Sequence, residues 1–277
     1  MKKILLSIFL SAFLILPSMA ATTWNAENRV SPVGKIVVEK NSLPAKLQFK
    51  AVETNVDNSD TATTNIVQVS KDDLKYAGND NEVAYVVAYE LGNIINDNIG
   101  KKKVRNYVKS AIASNLSSDN IITTAMNSST VTGRENINDA KASDVMGIDL
   151  MINAGYNPLA GIVTLTKMPG STFEALAGKP ANSERAMYLY DYLTYNFPSK
   201  VKAGYNCQEY RTFLAYANPI VEERNANAKK LKKFNKNQAK IKTKRAKQLA
   251  KYKTSGGLAS WNVSYELLKS LTESETK

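Results

Sequence analysis

No histidine occurs anywhere in the 277 residues. That absence excludes the Ser–His–Asp triad, the Cys–His pair and every zinc site built on imidazole. The single cysteine, Cys207, rules out an internal disulfide and a Cys-rich zinc cage alike. With 13 Gly and 8 Pro the chain is neither collagen-like nor of low complexity, and 43% apolar with 22% charged residues is ordinary globular composition. Nothing after the first 20 residues is long and apolar enough to span a bilayer. The length suits one domain of up to about 200 residues with extensions, or two small ones.

What is present begins with an address. Met1 to Ala20 reads as a secretory signal: Lys2 and Lys3 form a basic start, Ile4 to Leu16 an apolar run, and Ser18-Met19-Ala20 the small residues before a cut. The run of about 13 residues is short for an uncleaved anchor, the competing reading. No cysteine follows it for lipid attachment. The expected protein is exported, periplasmic or secreted, and not lipid-anchored.

Charge is concentrated at the other end. The net charge is +12, and between Glu222 and Lys253 there are 13 Lys or Arg against 2 Glu, which leaves +1 for the rest. Residues 222–253 contain no Gly or Pro and carry a thin apolar stripe of Leu231, Phe234, Ile241, Leu249 and Tyr252. A protruding, solvated basic helix is expected, followed by a short tail over 254–277. It suits an anionic polymer or lipid surface, or serves only as a solubilising extension. No specific nucleic-acid site is expected.

The body, residues 21–221, reads as α+β. Strands are expected at Lys35–Val38, Leu47–Val52 and Asn65–Val69. From Asp80 or Asn81 the period changes: Val83, Val86, Val87, Leu91, Ile94 and Ile95 recur at helical spacing, with Gly100 as a stop. Further helices are expected over 104–115, 138–153, from Pro158 to about Met168, 183–195 and 209–217, with a polar loop over 117–134. Strands followed by helices predict helices packed on one small antiparallel sheet.

The helix from Asn81 carries a resemblance. Ala88-Tyr89-Glu90-Leu91-Gly92-Asn93 resembles the A-H-E-x-x-H of metallopeptidase family 48. Ala142 to Met151 is similar to that family's E-A-D-x-x-G-x-x-L-M helix, Ala154-Gly155-Tyr156-Asn157-Pro158 to its A-G-Y-x-P, and Lys179 to Arg185 to its H-P-x-x-x-x-R. The resemblance runs from about Gly34 to Pro198 and implies a zincin-like fold. It also implies a peptide-binding edge strand, Ile66-Val67-Gln68-Val69, at which extended substrate pairs.

The departures decide what else the resemblance implies. Tyr89 and Asn93 stand at the two zinc-binding His positions, Ala140 at the third ligand, and Lys179 at a His that approaches the metal. Glu90 matches the general base and Asp144 a residue behind the metal. Tyr, Asn and Ala are not a zinc donor set, so no zinc is expected, and Glu90 is left without a Lewis acid. The implied protein is a catalytically impaired peptidase relative that binds polypeptides or an envelope protein. A residual metalloendopeptidase and a polyanion-binding protein acting through residues 222–253 are the alternatives. A negative Glu90 deprived of its cation needs a new partner: Lys179, or the Tyr89 hydroxyl and the Asn93 amide, are expected to supply it.

Overall fold

The computed structural model describes residues 24–53, 56, 58, 61–96, 137–168 and 181–254. The secretory signal, the expected helix over 104–115, the polar stretch over 117–134, Lys179-Pro180 and the tail beyond Thr254 lie outside them.

The first element is a helix, α1 (Glu27–Lys40). The β-branched run Ile36-Val37-Val38 is therefore not a strand. Val30, Val33, Gly34, Val37 and Val38 are all buried, at the three- and four-residue spacing that puts them on one helical face. Burying that face outweighs the local β preference of three residues.

Two strands follow, β1 (Gln48–Val52) and β2 (Ile66–Ser70), with the four-residue helix α2 (Thr61–Thr64) between them and the four-residue α3 (Lys71–Leu74) after. They pair in parallel, Gln48 opposite Ile66 and Val52 opposite Ser70. The expected antiparallel sheet is thus corrected to a parallel pair. The dozen-odd residues between Val52 and Ile66 are enough chain to return to the same end, which a tight hairpin is not.

Helix α4 (Asp80–Ile95) is the core element. Its cap is Asn79, one residue ahead of the expected Asp80 or Asn81: the Asn79 Oδ1 accepts from the N–H groups of Asn81 and Glu82. Almost every residue from Glu82 to Ile95 is buried, because α1, β2 and later helices pack round it. Helix α5 (137–153) crosses it at very short range. A Cβ on Gly92 would stand 2.5 Å from the Ser143 carbonyl oxygen, and one on Gly147 would stand 3.0 Å from the Ala88 backbone. Each helix supplies one glycine to this crossing; a side chain at Gly92 would collide with the α5 backbone, and one at Gly147 would force the two backbones slightly apart.

Helices α6 (Leu159–Lys167), α7 (Ala181–Asn196), α8 (Pro198–Ala203) and α9 (Gln208–Ala226) complete the body. The architecture is α+β, mostly helical, with a two-stranded parallel sheet at one side.

The basic segment is helix α10 (Ala228–Thr254), separated from α9 by Asn227. It is not the free-standing helix expected. Arg224 stacks 3.7 Å from the Phe234 ring, whose edge also meets Tyr195. Arg245 pairs with Asp149 of α5 and covers the Tyr192 ring at 4.6 Å. Ile241 and Leu249 rest against the core. The thin apolar stripe is what seats the helix. Among the described residues no helix is long and apolar enough to cross a membrane.

Candidate functional site

Tyr89, Glu90 and Asn93 lie on consecutive turns of α4, and the structure resolves their roles. Glu90 is buried, 6% exposed. Its Oε2 accepts from the Asn93 amide at 3.4 Å and from the Asn58 amide at 3.0 Å. Among the described residues it makes no ion pair. Burial pushes the Glu90 carboxyl up to about 7, with the bonds from Asn93 and Asn58 and the charge of Arg185 pulling down and the Asp73 carboxylate adding to the rise. The expected partner Lys179 lies outside the described residues. Of the two expected donors, Asn93 bonds the carboxylate and also lies within hydrogen-bonding reach of the Tyr89 hydroxyl.

Tyr89 faces a cation instead. The Arg185 guanidinium sits 4.7 Å from the centre of its ring. Burial raises the Tyr89 hydroxyl to about 12, so it stays protonated. Arg185 is fixed from behind by Asp144, which is fully buried. Arg185 Nε donates to Asp144 Oδ2 at 2.8 Å and Nη2 to Oδ1 at 2.7 Å, a two-pronged pair. The Tyr85 hydroxyl donates to Asp144 Oδ1 at 2.7 Å, and Arg185 Nη1 donates to Asn182 at 3.2 Å. Asp144 thus has a guanidinium and a phenol for partners.

This arrangement does not fit zinc. Of the three positions at which the resemblance implies ligands, Tyr89 is a protonated phenol under a guanidinium, Asn93 an amide committed to Glu90, and Ala140 has only a methyl group. Among the described residues no group of three or more Cys, Asp or Glu side chains is placed to hold a metal ion. No chemical step is assigned to a metal here.

The strand Ile66-Val67-Gln68-Val69 runs beside Glu90, but its outer edge is not bare. Gln48 N–H bonds the Asn65 carbonyl across the sheet, which turns Val67 toward β1 and the backbone of Gln68 away from it. The Gln68 N–H donates to Asn58 Oδ1 at 2.7 Å, and the Gln68 carbonyl accepts from Asn58 Nδ2 at 3.2 Å. The Ile66 carbonyl accepts from the Thr61 hydroxyl at 2.9 Å. The expectation of an exposed edge is corrected at these three groups. Asn58, wholly buried, thereby joins the edge strand to Glu90. No local pattern singles it out, since it is one of several Asn in a polar stretch. Arg185 was legible as the last residue of the Lys179–Arg185 segment, though not as the cation over Tyr89.

Comparison with known proteins finds no matching family profile, no similar curated protein and no similar solved structure.

Proposed function

We propose that this chain is an exported, catalytically impaired relative of family 48 metallopeptidases, zincin-like in fold, that binds extended polypeptide along β2 without cutting it. One observation carries the reading. The outward N–H and C=O of Gln68 are met together by a single amide, the pairing that a neighbouring strand would make, directly beside Glu90. The replaced ligand positions Tyr89, Asn93 and Ala140 account for binding without hydrolysis. Fluorescein-labelled casein titrated with the protein from residue 21 onward tests it by anisotropy and by gel. Saturable binding with intact casein is expected. Cleavage that a chelator abolishes would favour the residual-peptidase alternative, and no binding would overturn the reading.

A second reading is favoured by α10. Lys233, Lys236, Lys240, Lys244, Lys247 and Lys251 are exposed on its outward side, and no acidic residue occurs from Ala228 to Thr254. Phe234, Ile241 and Leu249 are turned to the body, so little remains among the described side chains to insert into lipid. An anionic polymer is the partner this face suits. Its signature is affinity that falls steeply between 50 and 200 mM salt; affinity independent of salt would leave the helix a solubilising one.

A further inference from the structure

Asn58 uses its hydrogen-bonding capacity on three partners, Gln68, Glu90 and Thr61. Its amide nitrogen has two hydrogens, one directed at the Gln68 carbonyl (3.2 Å) and one at Glu90 Oε2 (3.0 Å). Its oxygen accepts the Gln68 N–H at 2.7 Å, with the Thr61 hydroxyl 3.4 Å away. That hydroxyl lies 2.9 Å from the Ile66 carbonyl. The outward groups at Ile66 and Gln68 are two residues apart, the repeat at which an added strand would bond. Two side chains therefore stand in for the backbone of an adjacent strand. A peptide cannot pair with Gln68 while Asn58 holds both of its outward groups.

The contact is also not local to the strand. Asn58 is bonded to α4 through Glu90, so it bridges an edge strand and the core helix from a fully buried position. If it leaves, both outward backbone groups of Gln68 lose their partner and Glu90 loses one of its two amide donors. Buried groups left without partners are costly. The departure is therefore tied to the arrival of something that replaces those bonds. An extended backbone replaces the ones on β2. Glu90, facing Asp73, Arg185 and the Tyr89 ring system, keeps only Asn93 unless the incoming chain offers an N–H.

We infer that Asn58 is an internal occupant of the β2 edge, a latch that an extended polypeptide must displace in order to pair with Ile66 to Val69. The inference rests on the polypeptide-binding reading and names how that site is held closed.

Two measurements test it. In Asn58→Ala the Gln68 amide, stripped of its acceptor, should exchange with deuterium at least about tenfold faster than in the wild type. The Val67 and Val69 amides, bonded within the sheet, should be unchanged. The same variant should bind fluorescein-labelled casein about tenfold more tightly than the wild type. Equal casein affinity in the two proteins would overturn the latch while leaving polypeptide binding intact. Faster Gln68 exchange with casein binding in neither protein would overturn the binding reading and the latch with it. The wild type gives an independent check should Asn58→Ala fail to fold. On saturation with casein, the Asn58 side-chain amide resonances should move to solvent-exposed positions while the Gln68 amide stays protected. Casein binding that leaves the Asn58 resonances in place would overturn the inference.

Discussion

Helix α4 carries two buried glutamates two turns apart, and they meet opposite fates. Glu82, 2% exposed, is held by the Lys167 ammonium at 2.7 Å, the Gly78 N–H at 2.7 Å, the Asn79 amide at 2.9 Å and the Tyr205 hydroxyl at 3.2 Å. Glu90, 6% exposed, has two neutral amides. The helix, the residue type and the depth are nearly the same. The difference is the partner. A cation and several donors let Glu82 brace α4 against α6 and the segment around Tyr205. Among the described residues only amides bond Glu90, and with its burial this leaves it close to the point at which it takes up a proton.

The largest effect should come from removing the well-held charge. Glu82→Gln strands Lys167, whose side chain is only 23% exposed, and should cost about 3 kcal/mol of folding stability by urea titration. A loss below about 1 kcal/mol would mean that the two glutamates are not so different.

Glu90→Gln should behave in the opposite way. With an ordinary value near 4.5 when unfolded and about 7 when folded, the native state binds the extra proton between those limits. Wild-type stability should therefore fall as pH rises from about 4.5 to 7 and stay level above. The span is at most about 3 kcal/mol. The Gln variant should match the wild type near pH 4 and be the more stable protein at pH 8. A large loss at every pH would show that Glu90 has a cation after all.

A third carboxylate sharpens the contrast at the edge of the body. Asp149 pairs with Arg245 and accepts from the Tyr192 hydroxyl at 2.7 Å. Arg245→Ala should cost about 2 kcal/mol and speed tryptic cleavage within α10, since the pair and the Tyr192 stacking anchor that helix. Unchanged cleavage would mean that Phe234 and the apolar stripe suffice.

The smallest effect should come from metal. Added zinc or a chelator should move the Tm by less than about 1 °C, because nothing at Tyr89, Asn93 or Ala140 offers a strong donor. About one zinc per chain by elemental analysis would overturn the assignment of Glu90 to a neutral amide cluster.

Much of the helical framework was legible. The three- and four-residue spacing of Val83, Val87, Leu91 and Ile94 predicts α4, and Asn157-Pro158 predicts the start of α6, where Asn157 Oδ1 does accept the Leu159 N–H. Failures came where short-range signals competed with distant contacts. Ile36-Val37-Val38 has the composition of a strand, yet Val37 and Val38 complete the buried face of a helix that packs on α4 and β1, while Ile36 points outward. The direction of β1 against β2 left no trace in either strand, because a parallel and an antiparallel partner bury the same alternating residues. Residues 222–253 read as solvated because charge dominates them, while Phe234, Ile241 and Leu249, with Arg245, are enough to seat a helix.

By itself the sequence determined the chemistry that is impossible. A chain without imidazole and with one cysteine can build no His-based or Cys-rich zinc site however it folds, since donor identity is a property of the residue. It also determined where the charge lies. Only the tertiary structure decided which partner each buried carboxylate received. Asp144 meets Arg185 from 41 residues away, and Glu90 meets Asn58 from 32 residues away in the other direction. Local spacing carries no record of such pairings. They arise when packing brings one particular amide, among many in a polar stretch, within 3 Å of a carboxylate that water no longer reaches.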